Sequence, residues 1–190
     1  MSNIRSAQFI KGAVGNDSML ENGIAQVAFI GRSNAGKSSL INALTNQKNL
    51  AITSSYPGRT QEMNIFFINK ALYFVDLPGY GFVRISPSVR EKLQKMIDWY
   101  FFRSEYKQKY VVLIIDAKLG PTDLDMDMLY RLEAGQKNII IVANKIDKLK
   151  KSEYEKQIAD IQFRVGNHIL MPCSAEKKIG VGDLAALLLK

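Results

Sequence analysis

The sequence predicts a three-layer α/β fold built on a mostly parallel, six-stranded sheet with one antiparallel edge strand. Three observations lead there. Short β-branched and aromatic runs alternate with longer amphipathic segments, the order in which strands and helices take turns around a parallel sheet. Several of the short runs are almost wholly apolar, as strands covered on both faces should be. Glycine and proline fall at the ends of these runs, where loops build binding sites. With 190 residues, 47% hydrophobic and 23% charged, the chain matches a single globular domain and not a disordered or fibrous one.

Taken in order, residues 1–23 read as an N-terminal extension to a motif-bearing region of about 24–190. The first strand is expected at 26–30, followed by a glycine-containing loop and a helix at 37–44. A polar stretch with helix breakers, 53–61, has no apolar period and reads as an irregular, mobile segment. Strands at 64–68 and 72–76 are separated only by Asn69, Lys70 and Ala71, too few residues for a crossover helix, so they must form an antiparallel hairpin. Helices at 87–103, 122–133, 151–165 and 182–189 then alternate with strands at 110–116, 138–143 and 168–172. No repeat, low-complexity tract or linker marks a second domain. The stripe Met96, Trp99, Tyr100, Arg103 and Tyr106 could be a base-stacking surface, but its spacing of three and four favours a helix face packed on the sheet. Met126, Leu129, Tyr130 and Leu132 read the same way.

Directly after the first strand stands GRSNAGKS, which satisfies GxxxxGK[ST] in the strand–loop–helix context that a phosphate-binding P-loop requires. Gly31 and Gly36 let the backbone fold around phosphate, so that the loop Arg32, Ser33, Asn34, Ala35 and the helix start at Lys37, Ser38 and Ser39 point N–H groups at negative charge. Lys37 supplies a point charge for the outer phosphates and Ser38 an oxygen for Mg²⁺. After the third strand comes DLPG, where Asp76 can reach the metal through water and the Gly79 N–H is free to meet a γ-phosphate. Between the two motifs, Thr60 is the candidate for the threonine that joins Mg²⁺ and touches the γ-phosphate in the triphosphate state only, with Gly58 beside it and Thr53 and Thr45 as rivals. Residues 51–62 and 79–86 would then be the switches, and Lys37, Thr60 and Gly79 the catalytic set.

A P-loop does not choose its base; that choice is carried by NKID, directly after the strand at 138–143. The Asp147 carboxylate can accept two hydrogen bonds from guanine, whereas adenine presents no such donor pair. Asn144 can tie this loop to the P-loop, and the stem of Lys145 can lie over the ring. After the last strand come Cys173, Ser174 and Ala175, where the backbone N–H of Ala175 is expected to meet the guanine oxygen. The motifs therefore predict a guanine nucleotide, GTP or GDP, with Mg²⁺; an ATP-dependent kinase fails on Asp147 and on the absence of a substrate domain.

Composition narrows the rest. The formal charge of +8, from 26 Lys plus Arg against 18 Asp plus Glu, points to a polyanionic partner, most simply nucleic acid. The basic residues of 103–109 and 145–156 are interrupted by Glu105, Asp147, Glu153 and Glu155, so neither run is a clean patch. One cysteine, Cys173, excludes a disulfide framework and agrees with a reducing compartment, and the lone His168 has no assigned role. No apolar run approaches the ~20 residues that span a bilayer, so a cytoplasmic protein without membrane contact is expected.

Together GRSNAGKSS, PGRTQ, DLPGYG, NKID and Ser174-Ala175 look like the translation-factor-related P-loop GTPases, and PGRTQ with DLPGYGF closely resembles the EngB family of bacterial ribosome-biogenesis GTPases. The resemblance runs from about Gln8 to the C-terminal helix. It implies one GTPase domain, expected as a monomer, that assists assembly of the large ribosomal subunit by contacting ribosomal RNA or protein. The family often carries TKxD where this chain has NKID, the commoner form among GTPases. The residue after DxxG, a water-orienting glutamine in many switch GTPases, is Tyr80, so slow intrinsic hydrolysis is expected, at or below the order of 10⁻³ s⁻¹. In related GTPases with asparagine at the position of Asn34, that side chain helps hold a potassium ion beside the phosphates, which makes Asn34 a candidate K⁺ ligand.

Overall fold

A computed structural model describes residues 4–52, 62–81 and 85–190. Among them, β1 (Ala7–Ala13), β2 (Ala25–Gly31), β3 (Met63–Ile68), β4 (Leu72–Asp76), β5 (Gln108–Asp116), β6 (Ile139–Asn144) and β7 (Ile169–Pro172) form one sheet. The order is β1-β3-β4-β2-β5-β6-β7. Strands β4, β2, β5, β6 and β7 are parallel, and β3 pairs antiparallel with β4 as the short Asn69–Ala71 connection demands.

The sheet has seven strands among the described residues, not six, because β1 pairs antiparallel with β3 and extends the hairpin edge. Nothing in its sequence, AQFIKGA, announces a strand. As an edge strand it is largely exposed, and its register slips between Phe9 and Lys11, so neither an apolar run nor a clean alternation survives. Tertiary contacts hold it instead: Phe9 lies 5.7 Å from Phe66 between ring centroids, and the Asn69 side chain accepts from the N–H groups of Arg5 and Ser6.

Helices cover both faces. On one, α1 (Lys37–Thr45) and α5 (Val181–Leu188) pack Leu40, Ile41, Leu44, Leu184 and Leu188 against Val27, Phe29, Val112 and Ile114. On the other, α2 (Pro87–Asp98), α3 (Asp123–Ala134) and α4 (Lys151–Val165) pack Ile97, Leu129, Leu132 and Ile161 against Ala28, Ile30, Leu113 and Ile115. Alternate residues of each central strand thus serve opposite layers, which is why β2 and β5 are apolar almost throughout.

Local signals set the helix ends. Ser86 caps α2 ahead of Pro87, and Thr122 with Asp125 forms a capping box at α3. The predicted helix 87–103 ends as an α-helix at Asp98 and continues as a π turn, Trp99–Arg103. This turn sends Tyr100 fully into the core, where its hydroxyl donates to Gln26, and leaves Trp99 half-buried and Arg103 exposed. The packed-face reading therefore holds for Met96, Tyr100 and Tyr106. It fails for Tyr130, which is 58% exposed on the outer side of α3.

Candidate functional site

The motif residues meet at the carboxyl ends of the parallel strands, where β2 has β4 on one side and β5 on the other; this is where open α/β sheets form their ligand crevices. Strand β2 delivers the P-loop, β4 delivers Asp76, β6 delivers Asn144, and the turn after β7 delivers Ser174 and Ala175.

The P-loop is shaped by its glycines and its neighbours. Gly36 adopts φ +94°, and a Cβ there would run into the amide of Asn144. Helix α1 starts at Lys37, directly after the loop, so the N–H groups of its first turn lack intrahelical partners. Asn34 is exposed and left-handed, with φ 67°. Ser33 is already engaged: its N–H and hydroxyl both donate to the carbonyl of Tyr80, at 2.9 and 3.1 Å. A Cβ on Gly79 would lie 3.1 Å from the Ser33 nitrogen and 3.2 Å from the Gly31 carbonyl oxygen, so the DLPG turn rests closely against the P-loop and a larger residue there would push the two apart by a few tenths of an ångström.

Asp76 is 1% exposed and sits where two other candidates converge. The Lys37 ammonium donates to one of its oxygens, and the Ser38 hydroxyl lies 3.4 Å from the other. A hydroxyl and a carboxylate, both oxygen donors, suit a hard cation such as Mg²⁺, which takes only one or two carboxylates and completes its shell with water and phosphate. No group of three or more His, Cys, Asp or Glu suited to a metal occurs among the described residues.

The residues expected to face guanine are tied together by hydrogen bonds. Asn144, 1% exposed, donates to the Ala35 carbonyl at 2.9 Å and accepts from the Ala175 N–H at 3.1 Å, joining three loops with one amide. Ser174, fully buried, donates to Asp147 at 2.5 Å. Burial pushes the Asp147 carboxyl up, but the bonds from Ser174 and its own backbone N–H, together with Lys148 nearby, outweigh it and hold the group below its ordinary value. It is an ionised acceptor at neutral pH. Lys145, left-handed at φ 68°, donates to the Asn34 carbonyl at 2.5 Å and to Asp116 at 2.7 Å.

Tyr80 turns into the core, 7% exposed, and its hydroxyl donates to Asp125 at 2.7 Å. Sequence reasoning missed both Asp116 and Asp125; each closes an element, β5 or the α3 capping box, and reads as an ordinary boundary aspartate. Thr60 and Gly58 lie outside the described residues, as does most of the proposed first switch. His168 pairs with Glu133 at 2.7 Å, away from the motifs, and burial pushes the Cys173 thiol up to about 12, which keeps it inert.

Comparison with known proteins accounts for this assembly. Residues 26–145 match the family described as "MMR_HSR1: 50S ribosome-binding GTPase". Over 166 residues, 86% of this chain and 78% of the relative, the chain is 44% identical to the "Probable GTP-binding protein EngB" of Lachnospira eligens. The chain belongs to the EngB family. As an EngB protein it is a GTP-binding GTPase, and its fold agrees: a crystal structure of a probable EngB protein superimposes with a TM-score of 0.72 at 22% identity, over 87% of this chain and 97% of that one. The EngB fold also resembles Era in complex with MgGDPNP and nucleotides 1506–1542 of 16S ribosomal RNA, with a TM-score of 0.71 and 25% identity over 87% of this chain and 55% of Era. Among the described residues no helix is long and apolar enough to cross a membrane.

Proposed function

We propose that this EngB protein is a Mg²⁺-dependent GTP switch, a single GTPase domain whose triphosphate state binds a maturing large ribosomal subunit and assists its assembly. The observation that carries this reading is the convergence of Lys37, Ser38, Asp76, Asn144 and Asp147 at one end of the sheet, in a chain whose family model is described as a 50S ribosome-binding GTPase. Gly31 to Ser39 cradle the phosphates, Lys37 offsets their charge, Ser38, Thr60 and Asp76 would hold the metal, and Gly79 would report the γ-phosphate. Mg²⁺, when bound, neutralises charge developing on the β- and γ-phosphates. Asn144, Lys145, Asp147, Ser174 and Ala175 recognise guanine. Contact with ribosomal RNA is favoured by the +8 charge and by the structural likeness to Era, which has been crystallised with ribosomal RNA and MgGDPNP.

Asn34 adds a finer proposal. Its left-handed backbone presents the side chain in the open at the edge of the phosphate loop, and there it would ligate a K⁺ ion that substitutes for an arginine finger. A second reading, in which GTP is a structural ligand and hydrolysis is incidental, is favoured by one observation. The side chain after DLPG is committed to Asp125 and offers no group to orient water.

Sedimentation of cell extract with a non-hydrolysable GTP analogue or with GDP tests the partner. Co-migration with large-subunit particles in the analogue only is expected, weakening as KCl rises; nucleotide-independent migration would contradict the switch. Multiple-turnover hydrolysis that rises on adding those particles favours the switch over the structural-ligand reading.

A further inference from the structure

Lys145 is anchored at its charged end by two groups from different elements. Its ammonium donates to the carbonyl of Asn34 in the P-loop at 2.5 Å and to the carboxylate of Asp116, at the end of β5, at 2.7 Å. The end of its stem lies against the phosphate loop: Cε is 3.7 Å from where a Cβ on Gly36 would be.

Asp116 is itself held. Its other oxygen accepts from the Lys118 N–H at 3.0 Å, its side chain is only 12% exposed, and in the parallel register of β5 and β6 it stands opposite Asn144. The carboxylate therefore has a fixed direction, and it travels with the strand end that launches NKID. Lysine side chains lose much rotamer freedom on being ordered, so a lysine with a wandering ammonium must be ordered at the moment a base arrives. Anchoring its end beforehand removes that cost from the binding step.

We infer that Asp116 is a positioning residue for guanine nucleotide binding: its charge fixes Lys145 as a pre-ordered platform across the base site. The inference rests on the reading of Lys145 as a base-contacting residue. Asp116 also caps the turn after β5 through its bond to Lys118, and one substitution separates the two jobs. Asp116→Asn retains an oxygen for the Lys118 N–H and removes the charge that holds Lys145.

The test is a double-mutant cycle on the full chain, with GDP affinity read by titration calorimetry in Mg²⁺ buffer. Asp116→Asn is expected to weaken GDP by about 5- to 20-fold in the wild-type background and by less than about twofold when Lys145 is already alanine, since coupled neighbours lose their effect once the partner is gone. Asp116→Glu, which keeps the charge on a longer arm, should recover part of the loss. Melting curves of each variant confirm that the fold is kept. An equal loss in both backgrounds, or no loss in the first, overturns the positioning role while Lys145→Ala still weakens GDP. If Lys145→Ala leaves GDP binding unchanged, the base-contact reading falls and the inference with it.

Discussion

Replacing Tyr80 by phenylalanine removes one hydroxyl and tests whether the residue after DLPG is structural. The Asp125 carboxylate is 2% exposed and accepts three hydrogen bonds, from the Tyr80 hydroxyl at 2.7 Å, the Thr122 N–H at 2.9 Å and the Thr122 hydroxyl at 2.7 Å. Burial, reinforced by the charge of Asp125, pushes the Tyr80 phenol well above its ordinary value, so it stays a donor at every working pH. Tyr80→Phe leaves a buried charge one donor short. Hydrogen bonds to charged groups contribute about 1.5–3 kcal/mol, and the Thr122 pair moderates the loss, so destabilisation of about 2 kcal/mol is expected. In a domain of this size that lowers Tm by roughly 4–8 °C, and in urea it lowers the midpoint without changing the slope. The hydroxyl points into the core, so the GTP hydrolysis rate should stay within about twofold of wild type. An unchanged Tm would refute the structural role, and hydrolysis that drops by about tenfold or more in a folded variant would place the phenol in the chemistry.

Three further outcomes follow from the site. Lys37→Ala should weaken GTP by at least about tenfold through loss of a charge-assisted phosphate contact, with circular dichroism still native; unchanged affinity in a folded variant contradicts the phosphate-site assignment. Because the Asp147 carboxyl is held below its ordinary value, it stays ionised above the usual carboxylate range, and its contribution is lost only as pH falls through that depressed value. The preference for GDP over IDP, which lacks the exocyclic amine, should thus be flat between about pH 7.5 and 5.5; a loss of preference centred near pH 6 would mean a raised carboxyl instead. Hydrolysis should be faster in KCl than in NaCl at equal ionic strength, and Asn34→Ala should abolish the difference; equal wild-type rates would remove the potassium proposal.

The motifs were legible because each is a short, contiguous string tied to a strand end. GRSNAGKS, DLPG and NKID each follow an apolar run, and the chain order of those runs was enough to bring them to one crevice. The pairing of β3 with β4 was equally legible, since three residues allow nothing but a hairpin. Strand β1 was not, because an exposed edge strand with a slipped register keeps no period for a sequence to display. The two supporting aspartates escaped for a different reason: Asp116 meets Lys145 at a separation of 29 residues and Asp125 meets Tyr80 at 45, and no local pattern encodes such contacts. Tyr130 shows the reverse error, an aromatic at helical spacing that the fold leaves facing out.

The claim on which the rest depends is that Asp147 selects guanine, and it can be measured by competition titration of Asp147→Asn with GTP and XTP. The amide donates to the xanthine oxygen that replaces guanine's amine, so the variant should lose GTP affinity and come to prefer XTP, a reversal large enough to read because sites built on such bonds discriminate by ~10⁴ or more. A variant that keeps the wild-type preference for GTP over XTP contradicts the guanine assignment and, with it, the reading of this crevice as a GTP site.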